Sequence, residues 1–301
     1  MSTTAPAGGN AGPLRRIVVP LDGSRLSEKA LELAARLPAR ELILLHIGKD
    51  DRVRAGLEAL AASLRTGERT VEVVIRSGDT ANEIMDAAAD CDLVAMTTRG
   101  RGAAGRILFG SIADRISRFS STPTLLVRTH DETAAVPVPA RIVAPLDGSA
   151  LAERALPMAA NLTRGMSLPL HLVRVVDLDH VRATIQEQRE ANDAPATSEE
   201  HTYEEARQLT EQRASAYLTE TAASIADDGL HIETSILHGT PVFELLRAIQ
   251  PNDLVVMSSH GRRGFRRWML GSVAEKLVRE SAAPVLLVPT WEPAATAEPR
   301  V

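Results

Sequence analysis

Two segments of the sequence bring glycine and serine together at a spacing that suits an anion. The first reads Met96-Thr97-Thr98-Arg99-Gly100, then nine residues, then Gly110-Ser111. The second reads Met257-Ser258-Ser259-His260-Gly261, then nine residues, then Gly271-Ser272. Gly100 and Gly261 let the backbone turn with positive φ and approach a ligand closely. Gly110-Ser111 and Gly271-Ser272 open predicted helices, where exposed N–H groups and the positive end of the helix dipole favour a phosphate. Ser111 and Ser272 would either cap those helices or donate their hydroxyls to the phosphate. A plainer account is a glycine-containing loop before a serine-capped helix, because short glycine patterns recur by chance. Recurrence in two places shows common descent and is no independent sign of a ligand.

Other chemistries are absent from the sequence. The one Gly-Lys pair, Gly48-Lys49, is followed by Asp50, so there is no Gly-x4-Gly-Lys-Ser/Thr phosphate loop. Asp22-Gly23-Ser24-Arg25-Leu26 does not fit a dinucleotide fingerprint. Neither a His-Glu-x-x-His helix nor a serine nucleophile elbow occurs. His46 and His171 fall where second strands should close and read as structural histidines. His180, His201, His231 and His238 lack metal-ligand spacing. Net charge is −5 and aromatics are 3 % of the residues, which argues against nucleic acid as a partner. No apolar run approaches the roughly 18 residues that span a bilayer, so no membrane partner is expected. Cys91 is the single cysteine, and the N-terminus has no secretory pattern, so a cytoplasmic location is expected.

The elements that position these loops follow from an internal repeat. Arg16–Leu37 (RIVVPLDGSRLSEKALELAARL) and Arg141–Leu162 (RIVAPLDGSALAERALPMAANL) are identical at 15 of 22 positions, at an offset of 125. His46 and His171 keep that offset. Gly78, Asp92, Gly100 and Gly110 match Gly239, Asp253, Gly261 and Gly271 at an offset of 161. The second copy therefore carries 36 extra residues between His171 and Gly239, placed at about 179–203. Short apolar runs alternate with helical periodicity: Ile17–Leu21, Leu42–Ile47, Val71–Arg76, Leu93–Thr97 and Thr124–Arg128 read as strands. Such alternation predicts an α/β fold, two homologous doubly wound domains, each a five-stranded parallel sheet flanked by helices. Ligands then bind beyond the carboxyl ends of the strands, after strands one and four. The predicted organisation is a disordered tail over 1–14, domain 1 over 15–130, a linker over 131–140, domain 2 over 141–290, and a tail over 291–301. The insertion, with helix-favouring stretches at Glu187–Glu190 and Tyr203–Tyr217, is expected to cover the second site as a lid. The apolar fifth strands, Thr124–Arg128 and Val285–Val288, are expected to pair antiparallel as an internal pseudo-dimer.

The Asp-Gly-Ser after each first strand and the Gly-x9-Gly-Ser block before each last helix resemble the universal stress protein family. The resemblance covers essentially all of 15–290, as a tandem member. It implies a five-stranded parallel sheet and, in the family's ATP-binding branch, a Gly-x2-Gly-x9-Gly-Ser/Thr motif. Here Thr97 and Ser258 replace the first glycine, small side chains with hydroxyl donors. The resemblance places Asp22 and Asp147 beside the adenine and ribose; the same Asp-Gly-Ser also reads as a turn and helix cap. It further implies that Thr97, Arg99, Gly100, Gly110, Ser111 and Ile112 line the ribose and phosphates of one site. Ser258, His260, Gly261, Gly271, Ser272 and Val273 would do so in the other. The implied ligand is ATP, with Mg²⁺ carried on its phosphates. The implied role is a nucleotide sensor in a stress response, with at most very slow ATPase activity. A slow ATPase or phosphotransferase and a nucleotide-free interaction module are the alternatives. Assembly of the whole chain into a homodimer is compatible with this reading.

Overall fold

The computed structural model describes residues 14–98, 109–128, 131–192, 199–227, 229–259 and 270–290. The first copy runs β1 (Arg16–Pro20), α1 (Arg25–Ala34), β2 (Glu41–Ile47), α2 (Asp51–Leu64), β3 (Thr70–Arg76), α3 (Thr80–Ala88), β4 (Leu93–Thr97), α4 (Ser111–Phe119) and β5 (Thr124–Val127). The second runs β6 (Arg141–Pro145), α5 (Ala150–Glu153), α6 (Leu156–Met166), β7 (Leu170–Val176), α7 (Leu178–Asn192), α8 (Glu199–Ile225), β8 (Ile232–His238), α9 (Pro241–Ala248), β9 (Asp253–Ser258), α10 (Ser272–Glu280) and β10 (Val285–Val288). Among the described residues the strands form one sheet of ten, in the order β3-β2-β1-β4-β5-β10-β9-β6-β7-β8. Pairing is parallel within each copy and antiparallel where β5 meets β10. The doubly wound halves expected from strand–helix alternation are present, fused through their fifth strands.

Alternate side chains along each strand enter opposite layers. Ile17, Leu42, Leu44 and Leu93 fill one layer with α1, while Val18, Ile43, Leu45 and Val94 fill the other with α3 and α4. Both layers continue into the second copy through Leu286 and Val285, so the two copies share their apolar interior. Leu14, read from the sequence as the end of the tail, is buried in the first layer. The linker is also packed: Val136 is buried, and its carbonyl accepts from the Arg36 guanidinium at 2.8 Å.

The equivalent aspartates of the repeat, Asp92 and Asp253, serve the amino edge of the sheet. Asp92 Oδ2 accepts the backbone N–H of Arg15 at 2.8 Å and of Arg16 at 2.9 Å. Asp253 is buried and takes both Nε and Nη2 of Arg141, at 2.7 and 3.0 Å, and the Gln250 N–H at 2.7 Å.

The strand register corrects the sequence alignment at one point. Ile17 sits beside Leu42 and Ile142 beside Leu170, so β2 and β7 correspond at an offset of 128 rather than 125. Three of the extra residues of the second copy therefore lie before β7. They fall within 163–168, where α6 runs on to Met166 and ends on Ser167 in the left-handed region (φ 54), while α1 stops at Ala34. His171 consequently matches Ile43 near the start of the strand and does not close it; the counterpart of His46 is Arg174. The single helix α1 is also split in the second copy. Pro157, where α1 has Glu32, lacks an N–H and its ring excludes the carbonyl four residues back.

The rest of the insertion is helical. The 27-residue α8 is about 40 Å long at 1.5 Å per residue. It buries Ala214, Leu218 and Thr221 on β7 and β8, where the first copy has the 14-residue α2. Glu211 of α8 meets His238 Nε2 at 3.0 Å at the carboxyl end of β8. Residues 199–210 therefore extend past that edge by about 18 Å, with α7 packed on α8.

Candidate functional site

Each copy builds its candidate site from two turns at the carboxyl edge. After β1, Gly23 takes φ 79, and after β6, Gly148 takes φ 82, a conformation that a side chain disfavours. Asp22 Oδ1 accepts the Ser24 N–H at 2.9 Å and its hydroxyl at 2.6 Å; Asp147 holds Ser149 with the same two distances. The serine oxygens then cap the helices, accepting from Ser27 N at 3.2 Å and Ala152 N at 3.1 Å. The turn-and-cap reading of Asp-Gly-Ser is thus realised in both copies. Both carboxylates are half-buried at the strand ends.

The second turn follows strand four. Thr97 and Thr98 are buried, as are Ser258 and Ser259. The Gly110 N–H donates to the Thr98 carbonyl at 2.8 Å, and the Gly271 N–H to the Ser259 carbonyl at 2.8 Å. One backbone hydrogen bond therefore closes each loop at its base. Gly110 and Gly271 are the residues that precede α4 and α10, and their carbonyls accept from Asp114 N and Glu275 N, each at 2.8 Å. Ser111 and Ser272 are first helical residues, so the capping role open to them from sequence is not the one they take. Among the described residues no side chain caps either helix. Gly110 (φ −63, ψ 141) and Gly271 (φ −61, ψ 145) have extended backbone that any residue adopts. What a side chain would change at these positions is the space in front of the helix end. Ile112 and Val273 are half-buried against the α3/α4 layer. Arg99, Gly100, His260 and Gly261 lie outside the described residues.

The structure thus brings Asp22, Thr97, Gly110, Ser111 and Ile112 to one edge, and Asp147, Ser258, Gly271, Ser272 and Val273 to the same edge of the other copy. The sequence reading missed two further features there. Gly78 and Gly239 follow β3 and β8 with φ 149 and 133, and their recurrence at the offset of 161 was the available signal. Arg115 of α4 ties to α3 through Asp79 Oδ1 at 2.8 Å and Asn82 Oδ1 at 2.9 Å.

The second copy adds a wall from its insertion. The Arg174 guanidinium lies 4.8 Å from the centre of the Tyr217 ring, and the Tyr217 hydroxyl donates to Glu153 at 2.9 Å. Burial and the neighbouring Glu153 push that phenol up to about 12. Away from the site, burial pushes the Cys91 thiol up to about 11, which leaves little thiolate at neutral pH.

Comparison with known proteins agrees with this geometry. The profile described as the universal stress protein family matches residues 48–128 and 140–289. A universal stress protein of Mycolicibacterium smegmatis is 28 % identical over 226 residues, 73 % of this chain and 69 % of its own. One from Mycobacterium tuberculosis is 26 % identical over 231 residues, 75 % of this chain and 71 % of its own. Among solved structures, a universal stress protein from Archaeoglobus fulgidus superposes with TM-score 0.61 at 20 % identity, covering 92 % of this chain and 98 % of that one. The cytoplasmic domain of a prokaryotic cation chloride cotransporter superposes with TM-score 0.56 at 12 % identity, covering 92 % and 95 %, so this fold by itself does not select a function. Among the described residues no helix is long and apolar enough to cross a membrane. With the profile matched in each half, and the repeated turns at one edge of a shared sheet, the chain belongs to the universal stress protein family as a tandem member.

Proposed function

We propose that each copy binds an adenine nucleotide, ATP, at its carboxyl-edge turns, and that the chain acts as a regulatory nucleotide-binding protein in the stress response of the cytoplasm. The observation that carries this reading is the duplicated turn: a helix start with no side-chain cap among the described residues, joined by one backbone hydrogen bond to the end of strand four. Such a helix end presents N–H groups and a partial positive charge to a phosphate. The hydroxyls of Ser111 and Ser272, exposed at the first helical position, are placed to donate to it. Asp22 and Asp147, one strand away at the ends of β1 and β6, suit the amine or hydroxyl donors of the nucleoside. Mg²⁺ would travel with the phosphates. The position before the loop glycine is Arg99 in one copy and His260 in the other, so the repeat preserves no base or water-positioning group there. That favours sensing over turnover.

Titration calorimetry with ATP tests the reading. The wild type should bind two ATP per chain. Gly110→Val should remove one site and Gly271→Val the other, each weakening its own site by about a hundredfold, or roughly 2.7 kcal/mol. Because both glycines have ordinary φ, the thermal midpoint should stay within about 2 °C of wild type. Wild-type stoichiometry and affinity in the double variant would overturn the assignment.

A further inference from the structure

We propose that Arg115 makes the first copy discriminate a nucleoside triphosphate from a monophosphate, and that the second copy lacks this discrimination. The proposal rests on the nucleotide reading above and deepens it at the phosphate end of the first site.

Arg115 is the fifth residue of α4, one turn beyond Ser111. Long helical side chains lean toward the amino end of their helix, and this one reaches across to α3. Its Nη1 donates to Asp79 Oδ1 at 2.8 Å and its Nη2 to Asn82 Oδ1 at 2.9 Å. Asp79 is the residue before α3 and caps it, accepting the Asn82 N–H at 3.1 Å. Both helices pack on the same layer, and both start beyond the carboxyl ends of strands, after β3 and β4. The guanidinium is therefore held at the carboxyl edge, at the start of α3, on the face where Gly110 opens the proposed phosphate site. Its Nε–H donates to none of the described residues. Arg115 and Asp79 keep 42 % and 53 % of their side-chain surface exposed. A pair that exposed adds little to stability, whereas a guanidinium at that edge retains charge and donors for a phosphate.

The second copy holds its cation the other way. At the offset of 161, Lys276 stands for Arg115, Thr240 for Asp79 and Phe243 for Asn82. Among the described residues no side chain caps α9, and Phe243 is largely exposed. The carboxylate that draws Arg115 forward is thus missing. Lys276 Nζ lies instead 2.6 Å from Glu280 Oε1, at the last residue of α10. The position equivalent to Glu280 is Phe119 in the first copy. An acid at the helix start holds the cation forward in one copy, and an acid at the helix end holds it back in the other. Helices α9 and α10 pack together without the bridge, so that packing does not require it.

ATP and AMP share the nucleoside and differ in the length and charge of the phosphate chain. Their ratio of affinities at one site therefore isolates what the protein does to that chain, and changes in fold stability cancel from it. A cation held at the phosphate end raises the ratio, and an unpaired carboxylate there lowers it.

The experiment is titration calorimetry at low salt with ATP and with AMP. The full chain carrying Gly271→Val reads the first site, and the chain carrying Gly110→Val reads the second. The ATP-to-AMP ratio should be about fivefold larger at the first site, the scale of added phosphate charge near one half-exposed cation. In the Gly271→Val chain, Arg115→Gln should lower the ratio by about fivefold. Asp79→Asn keeps a cap on α3 and frees the guanidinium of its carboxylate, so it should raise the ratio by about threefold. Both changes break the same bridge. A bridge that only joins α3 to α4 would move the ratio in one direction in both variants, or in neither. Either of those results, or equal ratios at the two sites, would overturn the proposal. Absence of any ATP binding by the wild type would instead overturn the nucleotide reading on which it rests.

Discussion

His171 shows how one residue's place in the strand decides its chemistry. It is the second residue of β7, half-buried, with Nδ1 3.2 Å from Arg141 Nη1, which donates to it. Burial first, and then the Arg141 charge, hold its pKa below the ordinary 6.5, against the opposing pull of Glu233 and Asp253. The folded chain therefore takes up a proton less readily than the unfolded one. The stability this contributes is complete above pH 6.5 and is lost as pH falls below that value toward the folded pKa. His171→Ile, the residue type found at Ile43, should remove this proton linkage. Between pH 7 and pH 5 the wild-type thermal midpoint should fall by about 1–2 °C more than that of the variant, the effect being weakened by partial exposure. Equal losses would show that His171 does not titrate in this window. The sequence could not place His171 this way. The matched spacing to His46 pointed to a strand end, and three residues inserted before β7 moved the register without disturbing the periodicity.

At the scale of elements, the copies meet where helix α6 approaches the turn after α1. A Cβ at Gly165 would lie 2.4 Å from Cγ and 2.7 Å from Cβ of Pro38, a ring that cannot rotate away. Gly165→Ala gains about 1 kcal/mol of helix propensity, but overpacking against a rigid neighbour costs about 1–3 kcal/mol. A net loss of about 1 kcal/mol is expected by denaturant unfolding. In a Pro38→Gly chain, which lacks both of those carbons, Gly165→Ala should cost little, because the clash is pairwise. Full additivity of the two changes would show that the close approach is not what constrains Gly165. Nothing in the periodicity of α6 marks Gly165, since the demand comes from a residue more than a hundred positions earlier. By contrast β4, α4 and β10 lie at the residues read from the sequence, because their limits are set locally, by apolar runs, Gly-Ser starts and the Pro residues that precede the last strands. The turn at Ser111 shows the limit of local reading. Serine after glycine can be a cap or a first helical residue, and the carbonyl of Gly110 bonding Asp114 N decides for the latter.

For the whole molecule, the join between β5 and β10 makes one object of two domains. The antiparallel register sets Val285 beside Leu126, Leu286 beside Leu125 and Leu287 beside Thr124. Directly opposed residues have Cα atoms about 4.5–5.5 Å apart, within disulfide range. In a Cys91→Ala chain, cysteines at Leu126 and Val285 should therefore form an intramolecular disulfide during oxidative refolding. Cysteines at Leu126 and Leu287, which are diagonal neighbours roughly 7–8 Å apart, should remain mostly reduced. Cross-linking only between chains would mean that the fifth strands pair between molecules instead.

The sequence alone determined the repeat, the strand–helix alternation, the edge at which the Gly-Ser turns and the aspartates gather, and the antiparallel meeting of the two fifth strands. These follow from short-range patterns and from the need to cover an apolar edge. Only the tertiary structure decided the β5/β10 register, the packed linker at Val136, the burial of Leu14 and the pairing of Arg174 with Tyr217. Only it showed the His46 ring bonded to the Leu21 carbonyl. Each of these depends on which distant backbone lies alongside. A strand's alternation names the faces of its side chains but leaves open which residue stands opposite, and a shift of a few residues in a connecting loop is enough to change it.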